Sequence, residues 1–425
     1  MTAGKIILAI DFGTSNSLLA AGDATKAMPA LDIDALATDP TVLRSVFFAP
    51  ESGGWHFGNA AINQYQENFA EGRLFRSIKK FLPDPSFNGT RLKNRIVSLA
   101  ELVGIFLRHM RGCANTYFQQ DIDSVVLGRP VLFSLNPIDD KLAQTRLHDA
   151  AVFAGFKHIE FLPEPLAAAF EFRHQLTKKQ NVLIADFGGG TSDFTVLHMG
   201  KEELENKDVL AIGGVSYAGD AFDGCIMRNM IAPHFGSNVV YRLPSGSNDL
   251  HLPSNLISKM CSPADMSLLD TEDIKSLLNQ AQRWNITPKD AEKMDRLFLL
   301  IEEHLGYALF RSIEKSKIDL SQEATTDFIF ENSGIAIREK ISASEFKTHS
   351  ETVVERITAA MDETMKMSGL KYQDIEVVCC TGGTARIPAL REALEQRLSA
   401  EKLRQHRNFH SVVGGLAEKA HLLAR

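Results

Sequence analysis

The chain has 425 residues, of which 44% are hydrophobic and 23% charged, with a formal net charge of −7. This length exceeds one ordinary core and calls for two or more domains of globular composition. No apolar run approaches the ~20 residues of a membrane-spanning helix, an acidic balance without a long basic run argues against nucleic acid as main partner, and the five cysteines (Cys113, Cys225, Cys261, Cys379, Cys380) form no CxxC pair or zinc-spaced cluster.

The first apolar run, residues 6–10, ends at Asp11 and is too short for the h-region of a secretory signal, so a cytoplasmic location is expected. It reads as a strand. Asp11-Phe12-Gly13-Thr14-Ser15-Asn16 and a second apolar run, residues 18–21, complete a hairpin. Residues 137–153 have helical spacing, with Gly155 just past the end. Pro163-Glu164-Pro165 opens another helix that runs on through Leu166-Ala167-Ala168-Ala169-Phe170.

The hairpin pattern then returns. An apolar run over residues 182–185 leads into Asp186-Phe187-Gly188-Gly189-Gly190-Thr191-Ser192-Asp193, followed by the apolar residues 194–197. Two such hairpins far apart in the chain predict two lobes of related fold. Residues 239–263, rich in Ser, Pro, Asn and Leu, are expected to be an irregular surface segment. Residues 270–321 are helical by period and rich in Lys/Glu pairs. Residues 375–380 have the pattern of a buried strand, with Cys379 and Cys380 as core residues. They run into Thr381-Gly382-Gly383-Thr384-Ala385-Arg386-Ile387-Pro388, and residues 412–423 form a last amphipathic helix.

A phosphate chain needs donors that approach closely, and only glycine lets the backbone come that near. Gly13-Thr14-Ser15-Asn16 and Gly188-Gly189-Gly190-Thr191 both offer bare N–H groups with hydroxyls beside them. Asp11 and Asp186, at the ends of the preceding strands, would sit under the turns and hold Mg²⁺ through water, which that ion prefers to keep. The pattern GxxxxGK[ST] is absent, which excludes a Walker-type site.

These stretches resemble, in order, the first phosphate loop, second phosphate loop and adenosine motif of the actin, hexokinase and DnaK superfamily. Within it the chain is most similar to the DnaK-like heat-shock chaperones. Ser77-Ile78-Lys79-Lys80-Phe81 resembles their catalytic-lysine segment, residues 161–169 their Glu-Pro-x-Ala-Ala-Ala stretch, and residues 314–321 their nucleoside-clasping helix. The resemblance implies an α/β, actin-like ATPase fold: two lobes, each with a ribonuclease-H-like mixed sheet flanked by helices, and a nucleotide cleft between them. The expected division is residues 1–181 as lobe I, 182–403 as lobe II, and 404–425 as a C-terminal helix returning to lobe I.

The resemblance also implies roles. Asp11, Asp186 and Asp193 would order the Mg²⁺ shell and the attacking water. Gly13, Thr14, Ser15, Asn16, Gly188, Gly189, Gly190 and Thr191 would cradle the phosphates of ATP or ADP. Lys79 would stabilise charge on the γ-phosphate and help place the water, and Glu164 would serve as acid/base partner or stand behind the waters of the Mg²⁺ ion. Glu314, Lys317 and Ser321 would clasp adenine and ribose. Gly219, Asp220, Gly382, Gly383, Thr384 and Arg386 would complete the nucleotide site, with the guanidinium stacked on the purine. Taken singly, Lys79 and Glu164 would each read as a solvated surface charge.

Departures from the family are as informative. Pro130 is kept as the switch proline but sits in Gly128-Arg129-Pro130. No arginine follows it in the family's register, although Arg146 stands near, and Phe409 replaces a usual Asp. An insertion is expected between Asp223 and Glu314. The chain is expected to lack the peptide-binding β-sandwich, and so to work as an ATP-driven chaperone-type switch through an unknown protein partner, with a monomer favoured and no membrane or nucleic-acid partner. The alternatives are a nucleotide-binding regulatory module with little hydrolysis, or a small-molecule kinase on the same fold.

Overall fold

The computed structural model describes residues 5–67, 71–92, 95–201, 206–244, 246–285, 287–405 and 410–425. By packing the chain divides into two compact units, the first made of Met1–Gly219, Glu355–Ala385 and Leu390–Arg425, the second of Asp220–Val354 and Arg386–Ala389.

The first unit is built on two five-stranded mixed sheets with the same logic. In one, the spatial order is His158–Pro163, Ser124–Arg129, Ile7–Phe12, Asn16–Gly22 and Leu43–Arg44. The first three run parallel, and the last two fold back antiparallel. In the other, Val209–Val215, Ser192–Met199 and Gln180–Phe187 are antiparallel neighbours, and Val377–Thr381 and Leu403–Gln405 continue in parallel. Each sheet thus has one of the two sequence hairpins at its centre.

The strand Ile7–Phe12 shows why its sequence is continuously apolar. Leu8, Ile10 and Phe12 belong to one core cluster and Ile7 and Ala9 to another, so both faces of the strand are covered. Leu99–Phe118 and Pro137–Ala154 pack in the first cluster. The former starts on a capping box of Ser98 and Glu101, and the latter ends at Gly155 in the left-handed region.

The second cluster lies under Glu164–Phe172 and Ser411–Ala424, and it takes in residues from both sheets. The two helices cross in close contact because their facing residues are small. A Cβ on Gly415 would lie 1.7 Å from the Ala167 carbonyl oxygen. Ala167, Ala168 and Ala169 are wholly buried there.

The second unit is mostly helical. The periodic stretch over residues 270–321 is three helices, Glu272–Arg283, Pro288–Glu302 and Gly306–Asp319, and not one. Proline starts the second, and left-handed His304 separates it from the third. The segment over residues 239–263 is not the irregular surface stretch its composition suggests. Val240–Tyr241 pairs with Leu250–His251, and Ser254–Met260 is a helix that buries Leu256 and Met260. Those two apolar residues, four apart on one helical face, decide the outcome against the polar residues around them. The unit also has a hairpin, Thr325–Asn332 with Ile335–Ser342, in which Phe328, Phe330, Ile335, Ile337 and Ile341 form the buried face.

Candidate active site

Two turns define the site in the first unit. The turn joining Ile7–Phe12 to Asn16–Gly22 holds Gly13, Thr14 and Ser15. A Cβ on Gly13 would lie 2.2 Å from the Asn16 carbonyl oxygen, so no side chain fits there. Ser45 braces this turn: its hydroxyl donates to the Gly13 carbonyl at 2.7 Å, and its N–H donates to the Ser15 carbonyl at 2.9 Å. The second turn, Gly188 to Thr191, is closed by the Gly188 N–H on the Thr191 carbonyl at 3.0 Å. The two turns meet, since a Cβ on Gly190 would lie 2.7 Å from the Thr14 hydroxyl.

The third glycine stretch closes on the second turn. Gly382 has φ +82°, and a Cβ there would lie 2.1 Å from the Phe187 carbonyl oxygen, so both conformation and space require glycine. Gly383 begins a short 3-10 turn, and the Thr384 hydroxyl donates to the Gly188 carbonyl at 2.9 Å. The Gly219 N–H donates to the same carbonyl at 3.2 Å. Gly189 lies within the second turn.

Four carboxylates and one ammonium lie together beneath the turns. Lys79 Nζ is 2.6 Å from Glu164 Oε1, and both side chains are buried, at 7% and 9% exposure. Read alone, each residue looked like a surface charge; the fold makes them a desolvated pair. Lys79 stands on a 3-10 turn, Ile78–Phe81, entered through left-handed Ser77, while Glu164 is the first residue of its helix.

Asp11 is pushed up to about 8, first by burial and then by the Glu164 carboxylate, with Asp186 adding to the push and Lys79 opposing it. Asp186 rises to about 6, again through burial and Glu164, although the Thr381 hydroxyl donates to its Oδ1 at 2.6 Å. Asp193 is held well above the usual carboxylate range by burial and then Glu164. Its Oδ1 accepts the Val131 N–H at 2.8 Å, and its Oδ2 is buried without a hydrogen-bond partner among the described residues. Gly214 on the neighbouring strand leaves room for this side chain, since a Cβ there would lie 2.7 Å from Asp193 Oδ1.

The arrangement is short of positive charge. One ammonium faces four carboxylates, and the three aspartates are held toward the protonated state by burial first and then by the Glu164 carboxylate. A divalent cation fits that deficit. Among the described residues no group of three or more His, Cys, Asp or Glu side chains is placed to hold a metal directly. A cation that keeps its own waters, as Mg²⁺ prefers, suits these carboxylates, and Asp193 Oδ2, buried without a hydrogen-bond partner among the described residues, can accept from such a water.

Several residues of this site are invisible to motif reading. Ser45, Val131 and Gly214 come from segments with no phosphate-like pattern and arrive by strand pairing and chain reversal. Thr381 stands inside the third motif, but its bond to Asp186 appears only because the two strands run side by side.

In the second unit, Glu314, Lys317 and Ser321 share one face of the helix Gly306–Asp319 and its C-terminal turn. Lys317 Nζ is 2.9 Å from Asp223 Oδ1. Burial opposes its charge, but Asp223 and then Glu314 and Asp220 hold the ammonium above its ordinary value. The Ser321 hydroxyl donates to the Lys317 carbonyl at 3.1 Å. Arg386 belongs to this unit by its packing. Phe409 lies outside the described residues.

Paired glycine turns over clustered aspartates, each turn at the centre of a mixed sheet, define a protein of the actin-like ATPase class. The family model described as Hsp70 protein matches residues 7–241 and 300–424. The chain belongs to the Hsp70 family. Membership carries an actin-like ATPase fold, nucleotide binding and a chaperone-type function at the level of the family. The residues between the two matched ranges, 242–299, lie within the span Asp223 to Glu314 and include the short hairpin's second strand, the helices Ser254–Met260 and Glu272–Arg283, and most of Pro288–Glu302. No helix among the described residues is long and apolar enough to cross a membrane.

Proposed function

We propose that this chain binds ATP with Mg²⁺, hydrolyses it, and serves as a chaperone-type nucleotide switch read by a protein partner. The observation that carries the reading is the buried Lys79–Glu164 pair set among Asp11, Asp186 and Asp193 beneath two touching glycine turns. Gly13, Thr14, Ser15 and Asn16 on one side and Gly189, Gly190 and Thr191 on the other would donate to the phosphates, with Gly188 closing the second turn through its own N–H. Asp11 and Asp186 would hold Mg²⁺ through water, and the ion would neutralise phosphate charge. Lys79 meets the charge developing on the γ-phosphate. Glu164 and Asp193 orient the attacking water. Glu314, Lys317, Ser321 and Arg386 are proposed for the nucleoside, with Gly219, Asp220, Gly382, Gly383 and Thr384 supporting it.

A γ-phosphate held by both turns would add a tie between the two sheets of the first unit that ADP does not supply. The Val131 N–H on Asp193 extends that link to the segment after Pro130. A partner that prefers one state must change nucleotide affinity by the same factor. The first test is a thermal melt. A ligand that binds only the native state adds about 2.7 kcal/mol at a hundredfold excess over its Kd, so saturating Mg-ATP or ADP raises the melting temperature. A melt unmoved by ATP, ADP and GTP with Mg²⁺ would sink the reading. Pull-downs in ATP and in ADP test the switch: identical partner sets, with no bound protein altering nucleotide affinity, remove it.

A further inference from the structure

The turn that carries Lys79 is held from behind by one buried guanidinium. Arg146 stands on the helix Pro137–Ala154 and is 9% exposed. Its Nη1 donates to three backbone carbonyls, those of Phe81 at 3.2 Å, Leu82 at 2.9 Å and Asp84 at 2.8 Å. Its Nη2 donates to Asn88 Oδ1 at 2.9 Å. These acceptors follow Lys79 directly in the chain, and Leu82 is fully buried. Arg146 thus supplies a donor to the Leu82 carbonyl and reinforces the Phe81 and Asp84 carbonyls, which also accept the N–H groups of Asp84 at 3.1 Å and Phe87 at 3.3 Å.

We infer that Arg146 is a positioning residue for the reaction: it fixes the turn over residues 78–84 so that the Lys79 ammonium stays at Glu164. This rests on the ATPase reading above for the role of Lys79, but the restraint itself is a matter of four hydrogen bonds. The 3-10 turn supplies little rigidity of its own. The bonds that tie it to its flanks are all of the short i→i+3 kind, Lys80 N–H to the Ser77 carbonyl at 3.0 Å, Leu82 N–H to the Lys79 carbonyl at 3.2 Å and Asp84 N–H to the Phe81 carbonyl at 3.1 Å, and it enters through left-handed Ser77. A lysine on so short a turn reaches a 2.6 Å contact reliably only if the turn is anchored on both sides. Ile78 and Leu82 anchor the apolar side, both buried in the first core cluster. Arg146 anchors the polar side.

The same helix also fixes the segment after Pro130. Asp140 accepts from Arg129 Nη2 at 3.2 Å and from the Phe133 N–H at 2.7 Å, and Arg129 also donates to Gln144. One rigid helix therefore registers the Lys79 turn against the segment whose Val131 N–H reaches Asp193. Lysine cannot replace arginine here, because one ammonium cannot direct donors to three carbonyls on one side and Asn88 on the other.

The test compares Arg146→Lys with Leu147→Ala, which loosens the same helix and core without touching the turn's carbonyls. Steady-state ATP hydrolysis and hydrogen exchange of the amides over residues 78–84 are measured well below the melting temperature. A displaced catalytic group costs up to about 10²-fold, so Arg146→Lys is expected to lower kcat at least about tenfold and change KM for ATP less than about threefold. Exchange over residues 78–84 speeds up while Leu99–Phe118 stays protected. Leu147→Ala is expected to lose stability but keep kcat within about twofold of wild type. An Arg146→Lys protein with wild-type kcat, or with unchanged exchange over residues 78–84, overturns the inference, as does an equal loss of kcat in Leu147→Ala. A wild type that hydrolyses no ATP overturns the ATPase reading instead, and the exchange result then decides the inference alone.

Discussion

Removing the Lys79 ammonium perturbs both stability and chemistry, and the two can be separated. Lys79 and Glu164 are 2.6 Å apart with side chains 7% and 9% exposed, so neither charge has water to fall back on. In Lys79→Met the Glu164 carboxylate loses its cation and faces Asp11, Asp186 and Asp193, whose proton affinities it already raises. Breaking a buried pair in this way costs about 3–5 kcal/mol, much of it the uncompensated partner. Glu164→Gln in the same chain removes that orphan, so Lys79→Met/Glu164→Gln recovers most of the loss. The double-mutant cycle should therefore show a coupling of at least about 1 kcal/mol, well outside the additivity of distant sites. The assay is urea unfolding in EDTA for stability, with ATP turnover and ADP binding alongside. Turnover falls about 10²–10³-fold in Lys79→Met and is not restored in the double variant, because the ammonium's work is on transition-state charge. ADP binding is largely kept in Lys79→Met. A Lys79→Met protein as stable as wild type, with strictly additive Glu164→Gln, would refute the buried-pair reasoning; undiminished turnover would refute the catalytic role.

Three further outcomes follow from the same geometry. Asp186→Asn keeps an oxygen for the Thr381 hydroxyl but removes a charge that burial and Glu164 oppose, so in EDTA at pH 8 the variant melts higher than wild type while losing the Mg-ATP shift; a lower melt would mean the carboxylate is stabilising. Gly190→Val places atoms where Thr14 Oγ1 lies 2.7 Å from the Cβ position, so the folded variant should not bind ADP, and unchanged affinity by calorimetry would make the triple glycine only a turn. Gly415→Ala forces apart two helices whose backbones leave 1.7 Å for the new carbon, and should cost at least about 1–3 kcal/mol in urea unfolding; a loss below about 0.5 kcal/mol would show that the crossing adjusts freely.

The sequence by itself determined whatever depends on local chain chemistry. Both hairpins were legible because Asp-Phe-Gly turns between apolar runs leave few alternatives, and the helix Pro137–Ala154 because its stop signal is a glycine that ends in the left-handed region. The sequence marked Gly13, Gly190 and Gly382 as places for a ligand to approach, and the fold adds a different need for glycine there, since a Cβ would strike backbone or a neighbouring turn. Composition misled at residues 239–263, where two apolar side chains on one helical face outweigh many polar ones. Tertiary structure alone decided the electrostatics. Lys79 and Glu164 stand 85 positions apart, and nothing local to either says that the other will replace its water. Thr381 reaches Asp186 only because their strands lie side by side, and Ser45 reaches Gly13 only after the chain has turned back. Arg146 could be counted in the sequence, but not given its work: four acceptors from a distant turn converge on it only in the folded chain. The physical reason is range. Backbone conformation is set by neighbours a few residues away, whereas desolvation and charge pairing depend on which distant groups the core brings within a few ångströms.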